Sequence, residues 1–553
     1  MKSAIILLLL ALLIPICLSS NEHPFLRYNS VFNPRVRSKA FLSLLSENEL
    51  YQDRPFVFRQ ETRRHPSYLS LMSTSLSALD DSTDTDPGHY RQPGLSHPFE
   101  SMRTFRKAFL EAFRTREPQY CIAGYTYADS SLTYLADLNF KAGYEHSYNQ
   151  DFSYGLLYKG FGLNAIINKN FGLRANWWSG AYFGDADSAR VNSPLVDSFV
   201  KAEDELWLDN LNADIYYHNK YLTLALGRGR FQIGNSISGS IILSDRTNEY
   251  GYFLAEGGLG ALTLSFLHGS LVADSTLAAY EPASGTPSTY YSKNYPQKHL
   301  ALHQFSYNIK DRLQLFMGES VVYGDRGIDL NYLLPHTFWR VTEHNLQDRD
   351  NVLIFGGLNW KATEGSNIYL QTMLDEFRYK ELFGNWWGNK YALQGGINLA
   401  FPNPLNWFYP VQSEPELTLE FTAIRPYTYT HYLDHNKYSH DQHPLGYPKG
   451  SNSIDYSAEL VLPFARNSEI VSHVSYTRQG SVGNQFSMNY HDLMTNHDET
   501  QLDWLAGKIT DTIGLRNTYK LGIFSHHNIL AAMDLDYVSE WKARYSVAWQ
   551  FIY

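Results

Sequence analysis

Between His431 and Asn452 the chain sets His431, Asp434, His435, His440, Asp441 and His443 among Tyr438, Tyr447 and Lys449, with Tyr427 just upstream. Imidazoles and carboxylates ligate metals, and His440, Asp441 and His443 stand close together in sequence. The same residue types suit a sugar, because aromatic rings stack on its faces while His and Asp hydrogen-bond its hydroxyls. A solvated loop would also be this polar, and the spacing matches no known zinc set. Three readings stand: glycan contact, a plain loop, or a metal site. Tyr427, His431, Tyr438, His440, Asp441, His443 and Tyr447 are carried forward as polysaccharide contacts, with no metal and no cofactor expected.

The 553 residues carry no familiar catalytic signature. There is no G-x-S-x-G elbow, H-E-x-x-H pair, P-loop or paired CxxC, and Gly257, Gly258 and Gly260 read as turn glycines. The expectation is a protein that makes and breaks no bond. A formal net charge of −10 argues against nucleic acid, whose phosphates demand a basic face.

The elements that must position such a loop are strands. In the last twelve residues Ala543, Tyr545, Val547, Trp549, Phe551 and Tyr553 take every second place, with Lys542, Arg544, Ser546 and Gln550 between them. Successive strand side chains point to opposite faces, so one wall is greasy and the other wet. The rhythm recurs in Lys390 to Phe401, Asn210 to Tyr217 and Ser453 to Leu462, and short turns largely alternate with long loops, as in outer-membrane barrels. Counting from Leu132 gives about 18 strands, in a range of roughly 16 to 20, with Phe152 to Asn168 read as one strand bulged at Gly160. By parity Gln371, Asp375, Glu420, Asp455 and Glu459 face the lumen as a polar lattice or as ligand contacts. Arg425 is the candidate partner of the carboxylates if register brings them together. Glu319 shares parity with Leu313, Leu315 and Met317, so it faces lipid unless Gly318 hosts a bulge.

The predicted class is all-β: a transmembrane antiparallel barrel over residues 118–553 with a partly helical plug or periplasmic region at 21–117. Within that region Met102, Phe105, Phe109, Ala112 and Phe113 recur at helical spacing, and Arg37 to Leu50 repeats the pattern weakly. Residues 1–20 read as a secretory signal. With Cys17 inside it, Cys121 is left without an internal disulfide partner. Aromatic residues make up 15% of the chain, which suits girdles at two membrane interfaces.

LGRGRFQIG (Leu226 to Gly234), SIILSD (Ser240 to Asp245), NIYLQTMLDEF (Asn367 to Phe377), EFTAIRPYTYTH (Glu420 to His431) and HPLGYPKGSNS (His443 to Ser453) together resemble the Wzi-type capsule assembly family. The resemblance implies an 18-stranded barrel of the bacterial outer membrane, a helical periplasmic element that helps close it, and lectin-like contact with capsular or other surface polysaccharide. The other expected partners are outer-membrane lipid and, through the terminal strand, the barrel-assembly machinery. A porin, with Glu420, Asp375 and Arg425 lining its pore, and an outer-membrane hydrolase are the rival readings.

Overall fold

The computed structural model describes residues 59–60, 125–128 and most of 132–552; the larger gaps in that description are 190–198, 275–295, 408–413 and 491–499. The signal at 1–20 and the helices expected around Arg37 to Leu50 and Met102 to Phe113 lie outside the described residues.

Period-two alternation builds eighteen long antiparallel strands. They are β1 Leu132–Ser147, β2 Phe152–Ile167, β3 Phe171–Gly184, β4 Glu205–His218, β5 Leu222–Gly229 and β6 Tyr250–Leu259. Next come β7 Leu262–Leu271, β8 Lys298–Ile309, β9 Leu313–Gly324, β10 Asn351–Thr363, β11 Ser366–Glu376 and β12 Lys390–Ala400. The last six are β13 Glu416–Ile424, β14 Ser453–Ala465, β15 Ser468–Gly480, β16 Ile509–Phe524, β17 His527–Tyr537 and β18 Trp541–Ile552. Each pairs with its neighbours in sequence, and β18 returns to β1 from Arg544↔Ser147 to Ile552↔Asn139, which closes the ring. Tyr125–Ala128 continues that seam along the start of β1. The short strand Phe199–Ala202 folds back onto the top of β4.

The outward positions carry the greasy set. Leu138, Tyr144, Phe171, Ile215, Leu226, Met317, Tyr456 and Val547 are all exposed on the wall. A closed barrel has no free edge, so its backbone groups are satisfied within the wall and this surface can face hydrocarbon. Among the described residues no helix is long and apolar enough to cross a membrane.

Two details differ from the sequence reading. No bulge interrupts β2: pairing with β1 runs unbroken through Asn139↔Gly160 and Phe140↔Lys159. Phe152, Tyr154 and Tyr158 therefore point inward, where they cluster with Trp178, Tyr182, Leu206 and Leu208. Nor is the lumen uniformly polar, because β7 to β13 aim Leu267, Leu300, Leu302, Phe316, Leu353, Phe355, Met373 and Ile424 inward. Those side chains need a partner inside the barrel, and two connections supply it.

Candidate functional site

The connection from β5 to β6, residues 230–249, turns into the lumen instead of passing over its rim. Phe231, Ile233, Ile241, Ile242 and Leu243 bury themselves against the inward apolar residues of β6 to β13. Its polar backbone is satisfied by the wall, as buried amides require. Glu420 accepts from the N–H groups of Ile237 and Ser238, each at 3.1 Å, and from the Tyr369 hydroxyl at 2.5 Å. Gln394 donates to Ser236, to the Gly239 carbonyl and to Thr422, while Gln371 donates to Ser240. Arg59–Gln60 pairs in antiparallel register with Phe231–Gln232, so part of the amino-terminal region joins this inner segment.

The connection from β13 to β14, residues 425–452, descends beside it. Tyr429 donates to the Ile241 carbonyl and Tyr438 to that of Ile242, while Ser244 N–H donates to Leu445 O. Gly239, at φ 108°, lies where a Cβ would stand 2.5 Å from Pro448 Cδ, so the two segments meet on a bare backbone. Tyr427 and Tyr429 hold positive φ angles of 59° and 76°. The Asp375 carboxylate fixes the second of these by accepting from Tyr429 N–H at 2.7 Å.

Most of the predicted contact residues therefore lie within a packed plug. Tyr427, His431, Tyr438, His440 and Tyr447 are buried, which corrects the reading of this stretch as a solvated loop. Asp441 and His443 keep part of their surface, and Asp441 accepts from Asn248. His440 Nδ1 accepts from Val272 N–H at 2.9 Å, and its other ring nitrogen faces Glu249 O. His431 Nδ1 accepts from Leu433 N–H at 3.1 Å. Burial pushes His440 down to about 4 and His431 down to about 3, so both are neutral at pH 7. His440, Asp441 and His443 do not gather as ligands; among the described residues such a trio occurs at Glu343, His344 and Asp348. Ser439 accepts from Lys298 at 2.9 Å and donates to Asp274; Ser439 and Lys298 are buried, while Asp274 keeps part of its surface.

Of the lumen lattice, Gln371, Asp375, Glu420 and Asp455 are inward and buried as parity required. Asp455 accepts from Tyr447 and Lys449, each at 2.7 Å. Glu459 stands 3.7 Å from His473. Arg425 departs from expectation. It pairs with none of these carboxylates and donates instead to the carbonyls of Asn389, Trp386 and Leu502, at 2.9 to 3.4 Å. It thereby ties its own connection to those between β11 and β12 and between β15 and β16, with the Tyr391 and Trp504 rings against its guanidinium.

The opposite wall is different. Arg516 forms a two-armed pair with Asp534 at 2.6 and 3.1 Å, and Arg544 approaches Asp534 and Asp536 at 3.4 and 3.6 Å. The Arg516 side chain is half exposed, so water reaches this strip.

Sequence reasoning missed the 230–249 segment. The signal was there: β5 is only eight residues long, and a Ser, Asn and Gly stretch follows it with Ile241–Leu243 buried in its middle.

An even-numbered antiparallel ring, an apolar outer face and long connections on one side decide the location. The chain is an outer-membrane β-barrel. No protein-family model and no curated protein matches it. Among solved structures it is similar to Wzi of Escherichia coli, an outer-membrane protein involved in group 1 capsule assembly and described as a carbohydrate-binding β-barrel. Identity is 13% over 75% of this chain and 83% of that one, with a TM-score of 0.48. It is also similar to OccAB3 of Acinetobacter baumannii at 10% identity, 76% and 99% coverage and TM-score 0.40, and to OccK5 of Pseudomonas aeruginosa at 13%, 76%, 98% and 0.40. At such values the likeness assigns no function.

Proposed function

We propose that this barrel is a non-enzymatic anchor that holds exported surface polysaccharide at its outer rim. The observation that supports it is the plug along one side of the lumen: residues 230–249 and 425–452 are cross-bonded and buried against the wall from β6 to β13. A plugged wall favours holding over passage, and the rim then carries the contact. Asp441 and His443 keep the role read from sequence, joined by Tyr379, which is almost wholly exposed on the β11–β12 connection. The buried Tyr427, His431, Tyr438, His440 and Tyr447 shape the rim from below. The terminal strand remains the proposed handle for the barrel-assembly machinery.

Retention of glycan in a deletion strain is the first test. Tyr379→Ala combined with Asp441→Asn and His443→Ala should shed polysaccharide to the medium from cells whose barrel still assembles. Full retention in both strains sinks the proposal.

A substrate channel is the second reading, and the half-exposed Arg516, Asp534 and Arg544 strip favours it. Glu420, Asp375 and Arg425 would not line that path, since all three are buried in the plug and its ties. Single-channel current in a planar bilayer separates the two. A conducting wild type whose ion selectivity changes with Arg516→Ala supports the channel.

A further inference from the structure

The connection from β9 to β10, residues 325–350, neither enters the lumen nor stands above the rim. It lies down on the outside of the wall. Its helix α1, Trp339–Asn345, packs with Tyr332 over Phe266, Ala301, Val321, Tyr323 and Val352, all of which point outward. Strand register gives the neighbours of this flap. Leu226, Phe253, His268, Ala301, Val321 and Val352 form one continuous outward row across β5 to β10. Leu226 and Phe253 are bare, at 58% and 41% exposure, whereas Ala301, Val321 and Val352 are covered. The flap thus borders the barrel's lipid-facing belt, next above Met317 on the outward face of β9, itself 58% exposed.

Its buried polar groups turn toward the wall and are satisfied there. Glu319 accepts from the N–H groups of Trp339 and Arg340 at 2.7 and 3.0 Å and faces His303 Nε2 at 3.2 Å. Asp350 accepts both arms of Arg326 and the Tyr332 hydroxyl, at 2.7 to 2.9 Å. The outward side of the flap carries large apolar side chains: Leu330 and Phe338 are 75% and 72% exposed, and Ile328, Leu334 and Val341 join them, interspersed with the exposed Asn331, His336, His344 and Asn345. In water, covering one apolar surface only to present another gains little. Against hydrocarbon the same arrangement is favourable, because polar groups must be satisfied internally while apolar ones may face out.

We propose that residues 325–350 are an in-plane membrane element whose Leu330, Phe338 and Val341 face bind the acyl chains of the outer leaflet. Asp348 and Arg349, exposed near its end, mark the headgroup side.

Spin labels on the whole barrel in phospholipid vesicles test it, with both native cysteines replaced by serine. Labels at Leu330→Cys and Phe338→Cys should collide with oxygen severalfold more than with a water-soluble nickel chelate, as the Met317→Cys label does, while Asp348→Cys shows the reverse. Folding of each variant is checked by its heat-dependent gel shift, and Val341→Cys replaces any that fails. Nickel access at 330 and 338 matching that at 348, beside an oxygen-rich 317, overturns the proposal. Low access to both reagents with cross-linked dimers also overturns it, since a second copy would then cover the face.

Discussion

Arg425 was legible as important and misread as to partner. Its place after an alternating strand suggested a carboxylate, yet strand parity says nothing about the carbonyls that outer connections bring over it. Arg425→Ala should destabilise the folded barrel by about 2 to 4 kcal/mol, since charged hydrogen bonds to several buried acceptors are lost together. Arg425→Lys should restore only part, because an ammonium lacks the planar fork; denaturant titration reads both. His440 carries a pH prediction. Its folded value near 4 lies below the ordinary 6.5, chiefly through burial, with Lys298 and Arg228 adding repulsion and Asp441 and the Glu249 carbonyl opposing them. His431 is lowered likewise by burial and by Lys390. A depressed value means that stability is complete above 6.5 and drains away as pH falls toward 4, by on the order of 3 kcal/mol for His440. Hydrogen-exchange protection of residues 425–452, taken relative to the intrinsic rate at each pH, should therefore fall between pH 7 and 4.5, and His440→Asn, which keeps an acceptor in place of Nδ1, should flatten that fall.

Strands were the most legible elements, because alternation is local and eighteen repeats reinforce one another. It failed as a guide to surroundings where both faces of a strand are covered. On β8 and β9, Leu300, Leu302 and Val322 lie against the plug, while His303 and Glu319 lie under the flap. Glu319 keeps the outward parity read from sequence, with no shift of register at Gly318, and meets neither lipid nor water. Which connection folds inward is a long-range matter of lumen volume that no window of residues contains. The seam between the two inner segments is where this can be probed. Gly239→Ala places a methyl against Pro448 at a left-handed backbone position, so the segments should part, with protease cleavage inside 230–249 as the readout. Deleting residues 233–247 should convert a weakly conducting barrel into an open one, and unchanged current would show that the plug does not limit passage.

At the scale of the molecule, the closed ring and its approximate strand number were readable from the C-terminal strand and its echoes upstream, whereas the apolar part of the lumen was not. Val547, exposed on the wall, and Ser546, turned inward, give the sharpest contrast. Val547→Arg should cost about 2 to 4 kcal/mol in refolding into vesicles, and Ser546→Arg far less. Because β18 bonds directly to β1, the wall cannot shut until β18 has been made. The 325–350 connection, which ends up outside, must cross to the far side before then or through the lumen afterwards. On the second route the interior segments must wait for it. Assembly therefore carries an implied calendar, in which the outer drape arrives early and the inner stopper sets late, and a nascent barrel caught between those dates should be wider inside than the finished one.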